Sequence, residues 1–234
     1  MKYPLFFIIA LLIFSSFKTK EDDKKIISFI TDSSNIQFYW KDNKQQTLKS
    51  IQNLKSFTES KGKHLKFAMN GGMYKNGNSP QGLFIQDGKI ITPIDTLNGS
   101  GNFYLKPNGI FYITKKNQVA ICQTFEFNNY EYAETKFATQ SGPMLVIDKK
   151  IHPAFKKDSK NLNIRNGVGI LPNGKIIFAM SKEEVNFYEF AEYFKELGCR
   201  NALYLDGYVS RMYLPGKNWK QLDGNFGVII GVEE

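Results

Sequence analysis

The sequence predicts an α+β fold, an antiparallel or mixed β-sheet core built from hairpins with a few packed α-helices. Three observations predict it. Turn residues recur between β-branched and aromatic runs, at Asp87-Gly88, Pro107-Asn108-Gly109 and Pro172-Asn173-Gly174, which is the chemistry of hairpins. Two segments carry apolar residues at helical spacing. No solenoid-period repeat, Rossmann fingerprint or P-loop is present, and strand-rich segments with two good helices read as α+β.

Taken in order, the apolar runs 26–30 and 36–40, with turn residues between them, predict a first hairpin. Leu48, Ile51, Leu54 and Phe57 recur at helical spacing, Gly62 marks the stop, and a strand follows at 65–69. The middle of the chain, with its turn dipeptides, reads as antiparallel sheet. A strand at 144–147 follows the polar bend 139–143. The block 165–212 then reads strand, hairpin, helix, strand. Its helix, 187–197, places Phe187, Phe190, Ala191, Phe194 and Leu197 on one face, with Asn186 and Glu189 as a capping box and Gly198 at the stop. That face is too large to stay wet and must pack on a sheet. A last buried strand runs through 226–232.

The 234 residues suffice for one substantial core, read here as a single domain over 26–234. Hydrophobic residues at 42% exclude disorder. The net charge of +9 allows acidic partners. The basic residues are dispersed lysines, however, without the arginine clusters of a nucleic-acid module, so no nucleic-acid partner is expected. The only arginines are Arg165, Arg200 and Arg211, all within the block 165–212, where a planar fork could grip carboxylate or phosphate. Arg200 follows a helix end, which a cation suits.

Residues 1–17 carry Lys2 and then an apolar run, and read as a signal peptide with an uncleaved anchor as the alternative, followed by a polar leader at 18–25. The expected location is periplasmic or extracellular, with membrane contact only through that anchor. Cys122 and Cys199 could pair in an exported chain or sit as buried thiols.

Asp206 ends an apolar run and precedes Gly207, so a buried strand hands a carboxylate to a loop that can bend sharply. Asn70-Gly71-Gly72 also follows an apolar strand, and its backbone N–H groups could form an anion nest or simply a turn. Ser141 and Gly142 sit at another strand-side bend; no histidine stands at a recognisable offset to activate Ser141, which argues against a Ser-His-Asp hydrolase. His64 and His152 lie on lysine-flanked segments and read as surface residues.

The segments NGGMY, QGLF, SGPML, RNGVG, KELGC and ALYLDGYVSRMY together resemble the phosphodiester glycosidase family, from about residue 65 to the C-terminus. That family includes the animal uncovering enzyme, which removes N-acetylglucosamine from capped mannose 6-phosphate, and short bacterial members made of an export signal and the catalytic domain. The resemblance implies that Asn70, Gly71 and Gly72, Gln81 of QGLF, Ser141 and Gly142, and Ser210 contact substrate, with Asp206 and Arg165 catalytic. Many members have glycine where this chain has Tyr208. The implied reaction cleaves a sugar 1-phosphodiester of an envelope or extracellular glycan at the anomeric C–O bond, giving free sugar and a phosphomonoester. Phosphate leaves as a stable anion, so strong general-acid help is less necessary than in ordinary glycoside hydrolysis. Asp206 as base, nucleophile or ligand of a divalent cation such as calcium or magnesium is left open. The competing classes are a non-catalytic polysaccharide or peptidoglycan binder and a phosphodiesterase breaking P–O.

Overall fold

The structure is a computed structural model that describes residues 24–206 and 209–234. Residues 1–23, which hold the expected signal peptide or anchor and most of the expected leader, lie outside the described residues, as do Gly207 and Tyr208. The first half of the chain runs β1 (Ile26–Thr31), β2 (Ile36–Tyr39), α1 (Ile51–Glu59), β3 (Leu65–Asn70), β4 (Phe84–Gln86), β5 (Lys89–Thr92), β6 (Gly109–Thr114) and β7 (Val119–Gln123). It continues through α2 (Asn129–Glu134), β8 (Thr135–Ser141), β9 (Met144–Ile147), β10 (Lys150–Ile151), β11 (Asn166–Ile170) and β12 (Ile176–Ser181). The last elements are α3 (Phe187–Glu196), β13 (Ala202–Asp206), β14 (Met212–Leu214), β15 (Trp219–Lys220) and β16 (Ile229–Glu233). This is the expected α+β class, and the named strand pairs are all antiparallel.

Three sheets share the work. The first has strand order β1-β12-β11-β13-β9-β10, the second β15-β14-β3-β16-β2 and the third β5-β4-β8-β6-β7. Phenylalanine rings join them at the centre. Phe67 of the second sheet lies 5.1 Å from Phe178 of the first, Phe38 of the second lies 5.2 Å from Phe137 of the third, and Phe111 of the third meets Phe178 edge-on at 6.0 Å. Each such pair adds about 0.5–1.5 kcal/mol beyond burial. The outer faces of the first and second sheets are covered by α3 and α1 respectively.

α1 starts where Ser50 Oγ accepts from Asn53 N–H, and the chain leaves it through Gly62 at φ +71°. α3 has the expected capping box between Asn186 and Glu189 and ends before Gly198, whose φ of +80° favours glycine. Asp87-Gly88 and Pro172-Asn173-Gly174 turn the β4–β5 and β11–β12 hairpins as expected.

Two expected hairpins do not form. β1 pairs with β12 and β2 with β16, because the turn residues between them make a 3-10 turn that sends the strands to different sheets. Tertiary pairing outweighs proximity in sequence. Pro107-Asn108-Gly109 instead closes a long loop onto β6: Pro107 O accepts from Met144 N–H, and Asn108 Nδ2 donates to Phe103 O at 2.9 Å. α2, six residues long, is too short for helical periodicity to announce it.

Candidate active site

Strand ends from all three sheets meet at one place. Asn70 ends β3, Asp206 ends β13, Asn166 begins β11 and Ser141 ends β8. Asn70, Asn166 and Ser141 are entirely buried, and Asp206 is 4% exposed. An extra residue in β13 shifts its register against β11 between the Asn166–Asp206 and Gly167–Tyr204 pairs. Such irregularities re-aim side chains beside functional sites.

Two buried amides hold the carboxylate. Asn70 Nδ2 donates to Asp206 Oδ2 at 2.7 Å and to Val209 O at 2.8 Å, while its Oδ1 accepts from Arg211 N–H and from Asn166 Nδ2, both at 2.9 Å. Asn166 Nδ2 also donates to Asn70 O at 3.0 Å, and its Oδ1 accepts from Asp206 N–H at 2.9 Å. The orientation of both amides follows from main-chain partners, since a backbone N–H can only donate and a carbonyl only accept. An amide N–H aimed at one carboxylate oxygen makes a charge-assisted bond that fixes the plane of the group. Ser210 Oγ donates between Ile164 O and Asp206 O, tying the loop after Asp206 to the segment that leads into β11.

The neighbouring loops close around this core. Gly71 N–H bonds Val228 O at 2.9 Å, and a Cβ on Gly71 would stand 2.4 Å from Ile230 Cγ1. A Cβ on Gly72 would stand 2.5 Å from Thr139 Oγ1. Neither glycine has positive φ. Close approach to the second and third sheets therefore accounts for both. Ser141 Oγ donates to Leu205 O at 2.8 Å, and Gly142 leaves room for Asn108, whose Cβ would be 2.6 Å from any added one. Gln81 is half-buried, bonds Met73 O through its N–H and lies beside the Tyr104 hydroxyl. Tyr74 stands in the field of Asp206; burial first, and then that charge, raise its hydroxyl above the usual tyrosine range, so it stays a donor.

Arg165 is not brought into this group. Its side chain turns toward α3, where Nε donates to Val185 O at 2.9 Å, Nη2 to Asn161 O at 2.8 Å and Nη1 to Tyr204 Oη at 3.3 Å, with the guanidinium 3.6 Å over the Phe187 ring. The side chain is entirely enclosed, and burial lowers its pKa. Arg200 pairs with Asp148 at the surface, and Arg211 Nε reaches both carboxylate oxygens of Asp223 at 2.8 and 2.9 Å. Gly207 and Tyr208 lie outside the described residues.

Asn166 is a residue of this cluster that the sequence does not single out. Its signal was a lone polar residue at the head of an apolar strand, masked by the arginine beside it. His152 is a correction: it is 1% exposed, because its N–H bonds Leu145 O and its ring stacks on Phe155 at 4.7 Å. Nδ1 accepts from Ala154 N–H, Nε2 has no partner at bonding geometry, and burial lowers the pKa while the Lys106 backbone opposes that only in part. His64 is exposed, as expected. Cys122 and Cys199 are free thiols, each pushed up to about 12 by burial.

An oriented and largely buried carboxylate can take a proton from water or attack an electrophilic carbon. The phosphodiester glycosidase family model matches residues 63–229. The chain is 36% identical over 182 residues to the uncharacterised protein YigE of Escherichia coli K12, covering 77% of this chain and 70% of that one. Among solved structures it is similar to the zebrafish N-acetylglucosamine-1-phosphodiester alpha-N-acetylglucosaminidase catalytic domain, auto-inhibited by its pro-peptide. The TM-score is 0.63 at 14% identity, covering 90% of this chain and 83% of that one. A hypothetical protein from Synechocystis gives 0.50 at 14% identity, over 89% of this chain and 59% of that one. At such identities these two likenesses show the fold alone.

Proposed function

This chain belongs to the phosphodiester glycosidase family, and from that membership we propose that it hydrolyses a sugar 1-phosphodiester at the anomeric C–O bond. The observation that carries the reading is the Asp206 carboxylate, buried and held through Oδ2 by the Asn70 amide. In the proposed reaction an oxygen–carbon bond forms to the anomeric carbon as the bond to the phosphate oxygen breaks. The electron pair leaves with the phosphomonoester. Asp206 either accepts the proton of the attacking water or is itself the nucleophile of a two-step route, and the configuration of the released sugar distinguishes these.

The leaving phosphate needs little protonation, so donors suffice to stabilise it. Tyr74, kept protonated by burial and by the Asp206 charge, is the nearby hydroxyl suited to donate. Arg165 enters this reading as a positioning residue acting through Tyr204 and the 161–165 segment, since direct contact with phosphate would break its bonds to Val185 and Asn161. A divalent cation stays outside the reaction as drawn. The proposed setting is an envelope or extracellular glycan, which the apolar run within residues 1–17 supports.

Phosphorus NMR of the protein with a panel of sugar 1-phosphodiesters, with EDTA and with calcium or magnesium, beside Asp206→Asn, tests the proposal. Phosphomonoester together with free reducing sugar is expected, with turnover reduced at least about a hundredfold in Asp206→Asn. Phosphomonoester without free sugar means P–O cleavage and overturns the glycosidase reading. Binding of glycan without turnover assigns a binding module.

A further inference from the structure

The site shares one edge of the molecule with the start of β1. Ile26, the first residue of that strand, pairs with Ser181 of β12. Ser181 N–H bonds Arg165 O at 2.8 Å, and Asn166, the residue after Arg165, pairs with Asp206. With the strands in the order β1-β12-β11-β13, Ile26 stands three strand spacings, roughly 15 Å, from Asp206. Lys24 and Lys25, both exposed, therefore enter the fold on the rim that carries the site. The apolar run within residues 1–17 precedes them in the chain.

The same rim carries the connection 152–165 between β10 and β11. Its backbone is fixed from within. Phe155 stacks between His152 and Phe187, at 4.7 and 4.8 Å, while Asn186 Nδ2 donates to Lys157 O at 2.9 Å and Arg165 Nη2 to Asn161 O at 2.8 Å. Ser210 Oγ, bonded to Ile164 O and Asp206 O, joins it to the loop after Asp206. On this fixed backbone Lys156, Lys157 and Lys160 are exposed, and Leu162 is 43% exposed. Exposed Lys182 lies alongside, its N–H bonded to Lys25 O at 2.7 Å. Lys156, Lys157, Lys160 and Lys182 form no ion pair among the described residues. The acids of these segments are Asp158, Glu183 and Glu184, and Glu183 is paired with Lys25 at 3.0 Å. Six lysines thus face three carboxylates.

We infer that this rim is a membrane-binding surface that sets the Asp206 site against an anionic bilayer. Negative headgroups attract each lysine close to them, and an exposed leucine among the lysines can enter the interface. A soluble polyanion would use the lysines and leave Leu162 and the place of chain entry without a role. A bilayer uses all three, since an anchor within residues 1–17 would deliver the domain with this rim foremost. The inference takes from the proposed reaction only the place of the site, and the lysines and Leu162 act whether or not such an anchor is retained. A surface ordered beforehand loses little freedom on contact.

Hydrogen exchange of the full chain, with vesicles of phosphatidylcholine alone and of phosphatidylcholine and phosphatidylglycerol in equal parts, tests the surface without any substrate. The mixed vesicles are expected to slow exchange in 153–162 and 182–184, and the neutral ones to leave it unchanged. The triple variant Lys156→Gln/Lys157→Gln/Lys160→Gln should lose the slowing. Lys116→Gln/Lys149→Gln/Lys175→Gln, which removes the same charge from the β6–β7, β9–β10 and β11–β12 turns at the far end of the sheets, should keep it. No slowing, equal slowing on both kinds of vesicle, or a loss shared by both triple variants overturns the surface. Equal slowing by soluble polygalacturonate assigns the rim to acidic glycan and overturns it as well. Turnover of a soluble diester should be the same in the rim variant as in wild type. Failure of the surface therefore leaves the reaction standing, and failure of the reaction leaves the vesicle result unaffected.

Discussion

Asn70 spends its side chain on four partners, two of them main-chain groups of the segment that follows Asp206. Asn70→Asp keeps the shape and places a second carboxyl 2.7 Å from Asp206 Oδ2, where two like charges cannot both ionise. A pH–rate profile displaced from that of wild type and a loss of at least about a hundredfold near neutrality are expected, with the circular dichroism spectrum retained. Asn166→Ala removes the acceptor for Asp206 N–H and the donor to Asn70, leaving buried groups unpaired at a cost of about 1–3 kcal/mol. Its kcat should fall with KM little changed, which steady-state kinetics beside urea denaturation would reveal. Asp206 and Asn70 could be found in the sequence because each ends an apolar run before glycine. Arg165 and Asn166 could not be told apart there. Neighbours on a strand point to opposite faces, and only packing decides that Phe187 and Tyr204 enclose the arginine while Asn70 receives the amide.

At the scale of elements, α3 was legible to its caps, because its apolar stripe, its Asn-x-x-Glu start and its glycine stop agree with one another. Asn186→Ala removes the acceptor for Glu189 N–H and a donor to Lys157 O. A stability loss of about 1–2 kcal/mol by urea denaturation is expected, with Asn186→Asp recovering the cap. The loop after β3 is legible as glycine-rich, and the close approach that its glycines also serve is not, because Ile230 and Thr139 come from far along the sequence. Gly71→Ala would drive a methyl group into Ile230, 2.4 Å away between the second and third sheets, at a cost of about 1–3 kcal/mol and with a shift of the adjoining Asn70. The failed hairpins share one cause. Turn chemistry says where the chain bends, and the partner of each strand is settled by faces brought together from far along the sequence.

Across the whole molecule the same limit hid His152, whose lysine-rich flanks describe its neighbours in sequence and not the Phe155 and Phe187 rings stacked beneath it. The folded chain holds this imidazole neutral, with its pKa below the ordinary 6.5. The unfolded chain therefore binds the proton more tightly. The contribution of His152 to stability is level above about pH 6.5 and falls as pH drops through the unfolded value toward the lowered folded one. Urea midpoints across that window should decline in wild type and decline less in His152→Phe, and equal slopes would refute the assignment. The Asp206 carboxylate of the first sheet is held by an asparagine of the second. The site acts as an interlock: a molecule in which the first and second sheets have not yet docked has most of its secondary structure and no oriented carboxylate. During refolding, turnover would appear only after these two sheets dock, trailing the far-ultraviolet dichroism signal, so the product formed would count the molecules in which they have met.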